Sequence, residues 1–351
     1  MGASVVLIEG HRMGGDCLNY GCVPSKALLA AAKKAHVHRT SDAFGVKGHE
    51  PEVDYAAAMG HVRRTIEAIA PHDSVERFEG LGCTVIEARA RFTAPDEVEA
   101  GGRRIRARRF VVATGSSPFV PPIPGLDRVP FLTNETLWDN RELPGHLLVI
   151  GGGPIGLEMA QAHRRLGARV TVLEAGRAFP RDDPETAAIA LERLRAEGVE
   201  ICEGAKVASA AGEAGAIALT LEGGERVEGT HLLVAAGRRP NLDLGLDAGG
   251  IAHSKRGVEV DKGLRSTTNR RVHAVGDVAG GLQFTHVANY HAGLVIRNAL
   301  FRLPVTNSTA HIPWVTYTDP ELAQAGLTEA EARERHGDRV EVHRFPFAEN
   351  D

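Results

Sequence analysis

The sequence predicts an α/β fold that contains two related units, and three observations support this prediction. The chain has 351 residues, which is enough for two or three domains. Two pairs of segments resemble each other at fixed offsets, which indicates an internal repeat. In the second half of this repeat, a strand, a glycine-rich turn, a helix and another strand follow one another, as in a βαβ unit.

The composition excludes several classes of protein. Charged residues make up 25%, with 41 basic and 45 acidic side chains, so no charge excess predicts a nucleic-acid partner. No apolar run approaches the ~18 residues that span a bilayer, and no secretory signal opens the chain. We therefore expect a cytoplasmic protein without a nucleic-acid or membrane partner. Of its four cysteines, the neighbouring Cys17 and Cys22 favour redox or metal chemistry, and Cys83 and Cys202 are predicted as small buried residues.

The internal repeat defines what the two units share. An offset of 122 residues aligns 101–118 with 223–240, and each segment predicts a Gly-Gly hairpin followed by a buried strand. An offset of 165 residues aligns 1–9 with 166–174. The first unit thus carries extra residues that include the cysteine pair, and it has no counterpart to residues 147–165 of the second unit. We expect the chain to be truncated at its N-terminus.

The second unit contains a dinucleotide-binding fingerprint. A strand is predicted at 147–150, a Gly-x-Gly-x-x-Gly turn at 151–156, a helix at 157–165, and a further strand that ends at Glu174. Glycines at these positions let the backbone approach a pyrophosphate, and the helix N-terminus offers free N–H groups to it.

An acidic residue closes the fingerprint in both units. Glu174 would accept hydrogen bonds from ribose hydroxyls and repel a 2′-phosphate, which favours NAD over NADP, while the nearby Arg177 weakens that preference. By the repeat, Glu9 is the equivalent acid of the first unit, so we expect a second adenine nucleotide there.

The cysteine pair lies where a helix begins. Pro24 suits a first helical turn and residues 27–34 strongly favour a helix, so Cys22 is predicted at a helix N-terminus. There the helix dipole, together with Lys26, would lower the thiol pKa and favour a thiolate.

These residues resemble the pyridine nucleotide-disulfide oxidoreductases, which are FAD enzymes. Cys-x-x-x-x-Cys followed by Val-Pro-Ser-Lys, at 17–26, carries the resemblance, which continues at 113–115, 268–277 and 284–288. The resemblance implies two Rossmann-like FAD- and NAD(P)-binding units. It assigns a FAD-binding domain to 1–125 and 242–304, an inserted NAD(P)-binding domain to 126–241, and a partial α+β dimerisation domain to 305–351.

The resemblance also implies roles for individual residues. Cys17 would exchange with substrate, and Cys22 would face the flavin as the charge-transfer thiolate. Lys26 would lie beside the flavin and pair with Glu158, and Asp277 would hold the ribityl and phosphate region. The complete set of expected cofactor-binding residues is Glu9, Gly15, Asp16, Lys26, Ala113, Thr114, Gly115, Gly151, Gly153, Pro154, Ile155, Gly156, Glu158, Glu174, Gly237, Gly276, Asp277, Thr285 and His286. No metal ligand is predicted.

The implied reaction moves electrons from NAD, or alternatively NADP, through FAD and a Cys17–Cys22 disulfide to a small acceptor. Asp16, 70–78 and 314–321 resemble the mercuric-reductase-like subgroup, so the acceptor would be Hg(II) or a small disulfide. Dihydrolipoyl dehydrogenase is the alternative. Two hypotheses of other classes are a non-catalytic NAD-binding fragment and a metal-binding thiol protein without turnover.

Two features of the family pattern are absent from this sequence: an N-terminal glycine fingerprint for FAD and a C-terminal His-x-x-x-x-Glu pair. Near the end of the chain, a strand is predicted at 312–317, a short helix capped by Thr328 and Glu331, and a strand at 340–345. These elements are too small for a core of their own. We therefore expect truncation at this end also, and a homodimer for the full-length protein.

Overall fold

A computed structural model describes residues 2–349. Residues up to 118 form a parallel strand pair, four helices and an antiparallel sheet. In chain order, the elements are β1 (Val5–Glu9), α1 (Gly15–Asn19), α2 (Cys22–Thr40), α3 (Tyr55–Ile69), α4 (Val75–Gly80), β2 (Cys83–Glu87), β3 (Ala90–Ala94), β4 (Glu97–Ala100), β5 (Arg103–Arg106), β6 (Phe110–Val112) and β7 (Ser116–Pro118).

The middle of the chain repeats this plan around a larger sheet. Its elements are β8 (His146–Ile150), α5 (Pro154–Arg165), β9 (Arg169–Glu174), α6 (Pro184–Ala196), β10 (Val199–Glu203), β11 (Val207–Glu213), β12 (Ala216–Leu221), β13 (Arg226–Gly229) and β14 (His231–Val234).

The remaining elements return to the first unit and then leave it. They are β15 (Arg238–Pro240), β16 (His253–Ser254), β17 (Gly257–Val258), β18 (Val272–Ala274), α7 (Thr285–Phe301), β19 (Pro313–Thr316), β20 (Leu322–Ala325) and α8 (Glu329–His336). The predicted capping box is present, because Thr328 and Glu331 exchange hydrogen bonds at the start of α8.

The second unit has a continuous parallel sheet in the order β10-β9-β8-β14. β8 lies inside it, and Leu147, Leu148 and Val149 are fully buried, as expected for a strand covered on both faces. The α/β fold with two related units is therefore confirmed.

The first unit has two separate pairs of parallel strands among residues 2–349. β1 pairs with β2, and β6 pairs with β18. Val5 on β1 and Val111 on β6 are about half exposed. The prediction of a buried strand at β6 is therefore wrong for Val111, because that strand lacks a neighbour on one side.

The largest hydrophobic core joins the two units. Helix α2 is rich in alanine, and its buried Leu28 and Ala32 belong to the same cluster as Leu157 on α5. Because α2 packs on both α3 and α5, the N-terminus of α2 is held near the N-terminal half of α5. This packing places Lys26, in the second turn of α2, beside Glu158 on α5.

Two sequence expectations about local structure are wrong. Residues 340–345 form no strand, although their alternating pattern favours one, because they find no partner strand in the described part of the chain. Cys83 and Cys202 are half-buried rather than buried, since each lies near the end of its strand. No described helix is both long and apolar enough to cross a bilayer.

Candidate active site

The two clustered cysteines lie on consecutive helices. Cys17 is in the middle of α1, and Cys22 is the first residue of α2, as the helix-forming stretch after Pro24 predicts. Both are half-buried free thiols. The N–H groups of the first turn of α2 have no partner within the helix, so the sulfur of Cys22 lies at the positive end of the helix dipole.

The N-terminus of a second helix also lies beside the Cys22 sulfur. Thr285 is the first residue of α7, and its Oγ1 lies 3.2 Å from the Sγ of Cys22. The hydroxyl donates when the sulfur is ionised. Two helix N-termini thus converge on Cys22, although they are 263 residues apart in sequence.

The surroundings of Cys22 favour its thiolate. A hydrogen bond from Cys17, followed by the Thr285 hydroxyl and the charge of Lys26, lowers the pKa of Cys22 to about 6 against the opposing effect of burial. The pKa of Cys17 is raised above its ordinary value, because its thiol is hydrogen-bonded to Cys22 and burial disfavours its ionisation. Near neutral pH, the pair therefore consists of one thiolate, Cys22, and one thiol, Cys17.

Lys26 forms an ion pair between the two units. Its Nζ donates to Oε2 of Glu158 at 3.0 Å, and to the Ser25 hydroxyl at 3.3 Å. The Glu158 side chain is only 7% exposed, so this buried carboxylate requires its partner. The other oxygen of Glu158 accepts the backbone N–H of Tyr317 at 2.8 Å, and the Tyr317 ring lies over Nζ at 4.3 Å.

Asp277 lies in a hydrogen-bonded network that reaches the cysteine segment. The Ser116 hydroxyl donates to Asp277 at 2.5 Å, and Nε of Arg238 donates to that hydroxyl at 2.7 Å. Nη2 of the same guanidinium donates to Asp16 at 2.9 Å. Arg238, on β15, thus connects Asp16, the residue before Cys17, with the segment that carries Asp277.

The glycine turn of the second unit has the shape that a phosphate site requires. A Cβ atom at Gly156 would overlap the Gly151 carbonyl, whereas one at Gly153 would meet nothing within 4 Å. Helix α5 begins at Pro154 rather than at Leu157, so the predicted helix start is wrong by one turn. Proline needs no N–H partner at the first helical position, and this is why the helix begins inside the motif.

Glu174 supports the turn and remains able to accept further hydrogen bonds. Its two oxygens accept the N–H groups of Gly152, at 2.6 Å, and of Gly176, at 2.8 Å. An ionised carboxylate has about four acceptor positions, so capacity is left for a ribose. Arg177 points elsewhere, because its Nη2 donates to two backbone carbonyls of the following loop at 3.1 and 3.2 Å.

The other predicted residues lie at the ends of strands and helices around these groups. Glu9 closes β1 and accepts the N–H of His11 at 2.7 Å, and Thr114 exchanges hydrogen bonds with Asn241. His286, in the first turn of α7, lies with Nε2 2.7 Å from the Pro313 carbonyl. Gly15, Ala113, Gly115, Ile155, Gly237 and Gly276 occupy the turns or helix starts that follow β1, β6, β8, β14 and β18.

Sequence reasoning missed two residues of this site. Arg238 could have been found from the repeat, because it follows Gly237 at the end of an aligned segment. Tyr317 lies in the segment 314–321 that carries a family resemblance, but its contact with Lys26 could not be derived from the sequence, because it depends on how this segment packs near α5. Among the described residues, no cluster of three or more potential metal ligands is present.

Comparison with protein families places most of the chain in one group. The family described as "Pyridine nucleotide-disulphide oxidoreductase" matches residues 1–292, and the dimerisation domain of the same name matches 312–351.

Similar proteins have related names. The chain is 34% identical to a mercuric reductase of Lysinibacillus sphaericus, over 95% of this chain and 62% of the relative. It is 37% identical to a mercuric reductase of Streptomyces lividans, over 95% and 72%, and 36% identical to a dihydrolipoyl dehydrogenase of Thermus scotoductus, over 99% and 76%. The chain spans about three fifths of the length of the first of these relatives.

Solved structures agree with this relationship. The HOCl-induced flavoprotein disulfide reductase RclA from Escherichia coli superposes with a TM-score of 0.83 at 30% identity, covering 96% of this chain and 75% of the other. LpdA from Mycobacterium tuberculosis superposes with a TM-score of 0.86 at 26% identity, covering 95% of this chain and 74% of the other.

Proposed function

Since the chain belongs to the pyridine nucleotide-disulphide oxidoreductase family, we propose that it carries out the thiol exchange of a FAD-dependent NAD(P)H:disulfide oxidoreductase. The observation that carries this proposal is the position of Cys22 at the N-terminus of α2, with its sulfur 3.2 Å from the Thr285 hydroxyl. These surroundings lower the pKa of Cys22, while the pKa of Cys17 is raised. A structural pair of buried thiols would have no need of the Thr285 hydroxyl and the Lys26 charge beside one sulfur. The proposed domain division is 1–125 with 242–304, 126–241, and 305–351.

The residues of the second unit fit a nicotinamide dinucleotide. The open space at Gly153, at the N-terminus of α5, would receive the pyrophosphate, and Glu174 would accept the ribose hydroxyls. Nη2 of Arg177, the basic residue nearest to Glu174 in sequence, donates to two backbone carbonyls and not toward a 2′-phosphate position. We propose NADH as the preferred donor.

The residues of the first unit fit a flavin dinucleotide. Cys22, Lys26 and Asp277 would contact the ring and ribityl portions, and Glu9 the adenosine. When bound, the nicotinamide and flavin would supply the two electrons that reduce the cysteine pair.

The reduced pair can pass two electrons to a disulfide acceptor. The proton of Cys17 moves to the Cys22 sulfur to which it is hydrogen-bonded, and the Cys17 thiolate attacks one acceptor sulfur. A mixed disulfide forms, and the released thiolate takes the proton from Cys22. Cys22 then attacks Cys17, forming the Cys17–Cys22 disulfide and releasing the second acceptor thiolate. The acceptor is reduced and the pair is oxidised by two electrons.

We propose Hg(II) or a small disulfide as the acceptor of a mercuric-reductase-like enzyme, with dihydrolipoamide oxidation as the alternative. Two thiols of which one is already ionised are soft ligands suited to Hg(II). Mercuric reductases among the similar proteins support this subgroup, while the dihydrolipoyl dehydrogenase of Thermus scotoductus supports the alternative. Cytoplasmic location and a homodimer are part of the same proposal, the latter supported by the dimerisation-domain match.

A second candidate function is NAD binding without flavin. The glycine turn, the N-terminus of α5 and Glu174 favour it, because these groups all lie within the second unit and do not depend on a flavin.

One set of measurements on the purified chain separates these candidates. Flavin absorbance, together with NADH-driven reduction of an aromatic disulfide or NADH oxidation dependent on Hg(II), supports the oxidoreductase. Cys22→Ser should abolish turnover, while Cys202→Ser, which alters a half-buried cysteine on β10, should keep it. Turnover that survives in Cys22→Ser would overturn the assignment. A colourless chain that still quenches NADH fluorescence would support the second candidate.

A further inference from the structure

One aromatic side chain from the last third of the chain reaches the ion pair between the two units. Tyr317 follows β19, and its backbone N–H donates to Oε1 of Glu158 at 2.8 Å. Its ring lies 4.3 Å from Nζ of Lys26, a distance at which a ring face attracts an ammonium ion. The ring therefore contacts the same ammonium group that Glu158 and Ser25 accept from.

The segment that bears Tyr317 is attached to neighbouring elements at both of its ends. At its start, the Pro313 carbonyl lies 2.7 Å from Nε2 of His286, one residue after Thr285 on α7. The Trp314 indole donates to the buried Asp182 at 2.9 Å. At its end, Asp319 is paired with the buried Arg165 on α5. With its flanks fixed on α7 and on α5, Tyr317 has little freedom to leave Lys26.

We propose that Tyr317 is a positioning residue for the cysteine pair, which acts by holding the Lys26 ammonium between its ring and Glu158. Lys26 is 39% exposed, so without the ring its long side chain can turn toward water. The ammonium favours the Cys22 thiolate only while it stays near the sulfur. The segment that bears Tyr317 thereby lowers the pKa of Cys22, which lies near the start of the chain.

This inference rests on the proposed role of Cys22, and a direct titration tests it without any turnover. The rate at which iodoacetamide alkylates Cys22 in the reduced 351-residue chain is followed against pH. Tandem mass spectrometry of the peptide 13–26 separates Cys22 from Cys17. In Tyr317→Leu, the midpoint of the profile should rise by about 0.3–0.7 pH unit, the loss expected for one exposed cation–π contact.

Two matched variants make the result specific. Tyr317→Phe keeps the ring face and should titrate like the parent, because the hydroxyl is not part of the contact. Phe347→Leu, which alters a side chain that is 93% exposed and remote from the pair, should also be unchanged. Lys26→Met should shift the midpoint further than Tyr317→Leu, and the double variant should shift no further than Lys26→Met alone.

The outcomes separate this inference from the proposed function. A parent midpoint near that of an ordinary thiol would contradict the proposed role of Cys22 itself. A low parent midpoint that Tyr317→Leu leaves in place would overturn the positioning role alone. An equal shift in Tyr317→Phe would also overturn it, since the ring face would then be irrelevant.

Discussion

The hydroxyl of Thr285 offers the sharpest test of why Cys22 is ionised. Thr285→Val removes the donor that lies 3.2 Å from the sulfur and keeps the shape of the side chain. A hydrogen bond to a charged group contributes about 1.5–3 kcal/mol. Because Cys22 is half-buried, water replaces part of the loss, which leaves about 1 kcal/mol. At 1.36 kcal/mol per unit, the pKa of Cys22 should rise by about 0.7 unit.

The assay is the pH dependence of Cys22 alkylation, with far-ultraviolet thiolate absorbance as a second reading. Thr285→Ser keeps the hydroxyl at the first position of α7 and is the matched control, so its midpoint should stay within about 0.2 unit of the parent. If Thr285→Val titrates like the parent, the hydrogen bond from Cys17, the helix N-termini and Lys26 account for the thiolate without the hydroxyl. If both variants shift equally, the threonine acts through packing, and the reasoning from the hydrogen bond is refuted.

Three further outcomes follow from the geometry. Gly156→Ala forces a Cβ into the Gly151 carbonyl and should lower the melting temperature. Gly153→Ala has room for its Cβ and should leave the melting temperature unchanged. It should nevertheless weaken NADH binding, measured by fluorescence titration. Arg165→Met removes two hydrogen bonds from the buried Glu197, which keeps Arg193 at 3.3 Å. The change should cost about 3 kcal/mol in urea unfolding, against about 0.5 kcal/mol or less for the exposed pair broken by Arg63→Met. Under reducing conditions, the parent should gain stability over Cys22→Ser as the pH rises from about 6 toward 9. In this range the Cys22 thiol keeps its proton in the unfolded protein and has lost it in the folded protein. A difference in stability that does not change with pH would contradict the lowered pKa of Cys22.

Local spacing predicted the parts of the site whose geometry is local. Glycines of the second unit, Glu174 at the end of β9 and Cys22 at the start of α2 all follow from residues within one turn or one strand. The two-unit fold followed from the repeat, which is also a property of the sequence alone. The start of α5 was misjudged because the glycine motif was interpreted as a turn throughout, although Pro154 is a favoured first helical residue.

Contacts between distant segments could not be predicted in this way. The Lys26–Glu158 pair joins residues 132 apart, and only the family resemblance suggested it. Arg238 contacts Asp16 across 222 residues, and the Tyr317 ring contacts Lys26 from the last third of the chain. An alternating pattern at 340–345 predicted a strand, but a strand needs a partner, and pairing is decided by the fold rather than by the pattern.

The ionisation of Cys22 depends both on local features of the sequence and on contacts between distant segments. Its own segment supplies the start of α2, the neighbouring Cys17 and Lys26, which are local features. The Thr285 hydroxyl, the N-terminus of α7 and the carboxylate that holds Lys26 in place come from other parts of the chain. A nucleophilic thiolate therefore requires the packing of α2 on α5 and of α7 on the cysteine segment. Because unfolding removes these contacts together, the pKa of Cys22 should return to that of an ordinary thiol in the unfolded protein.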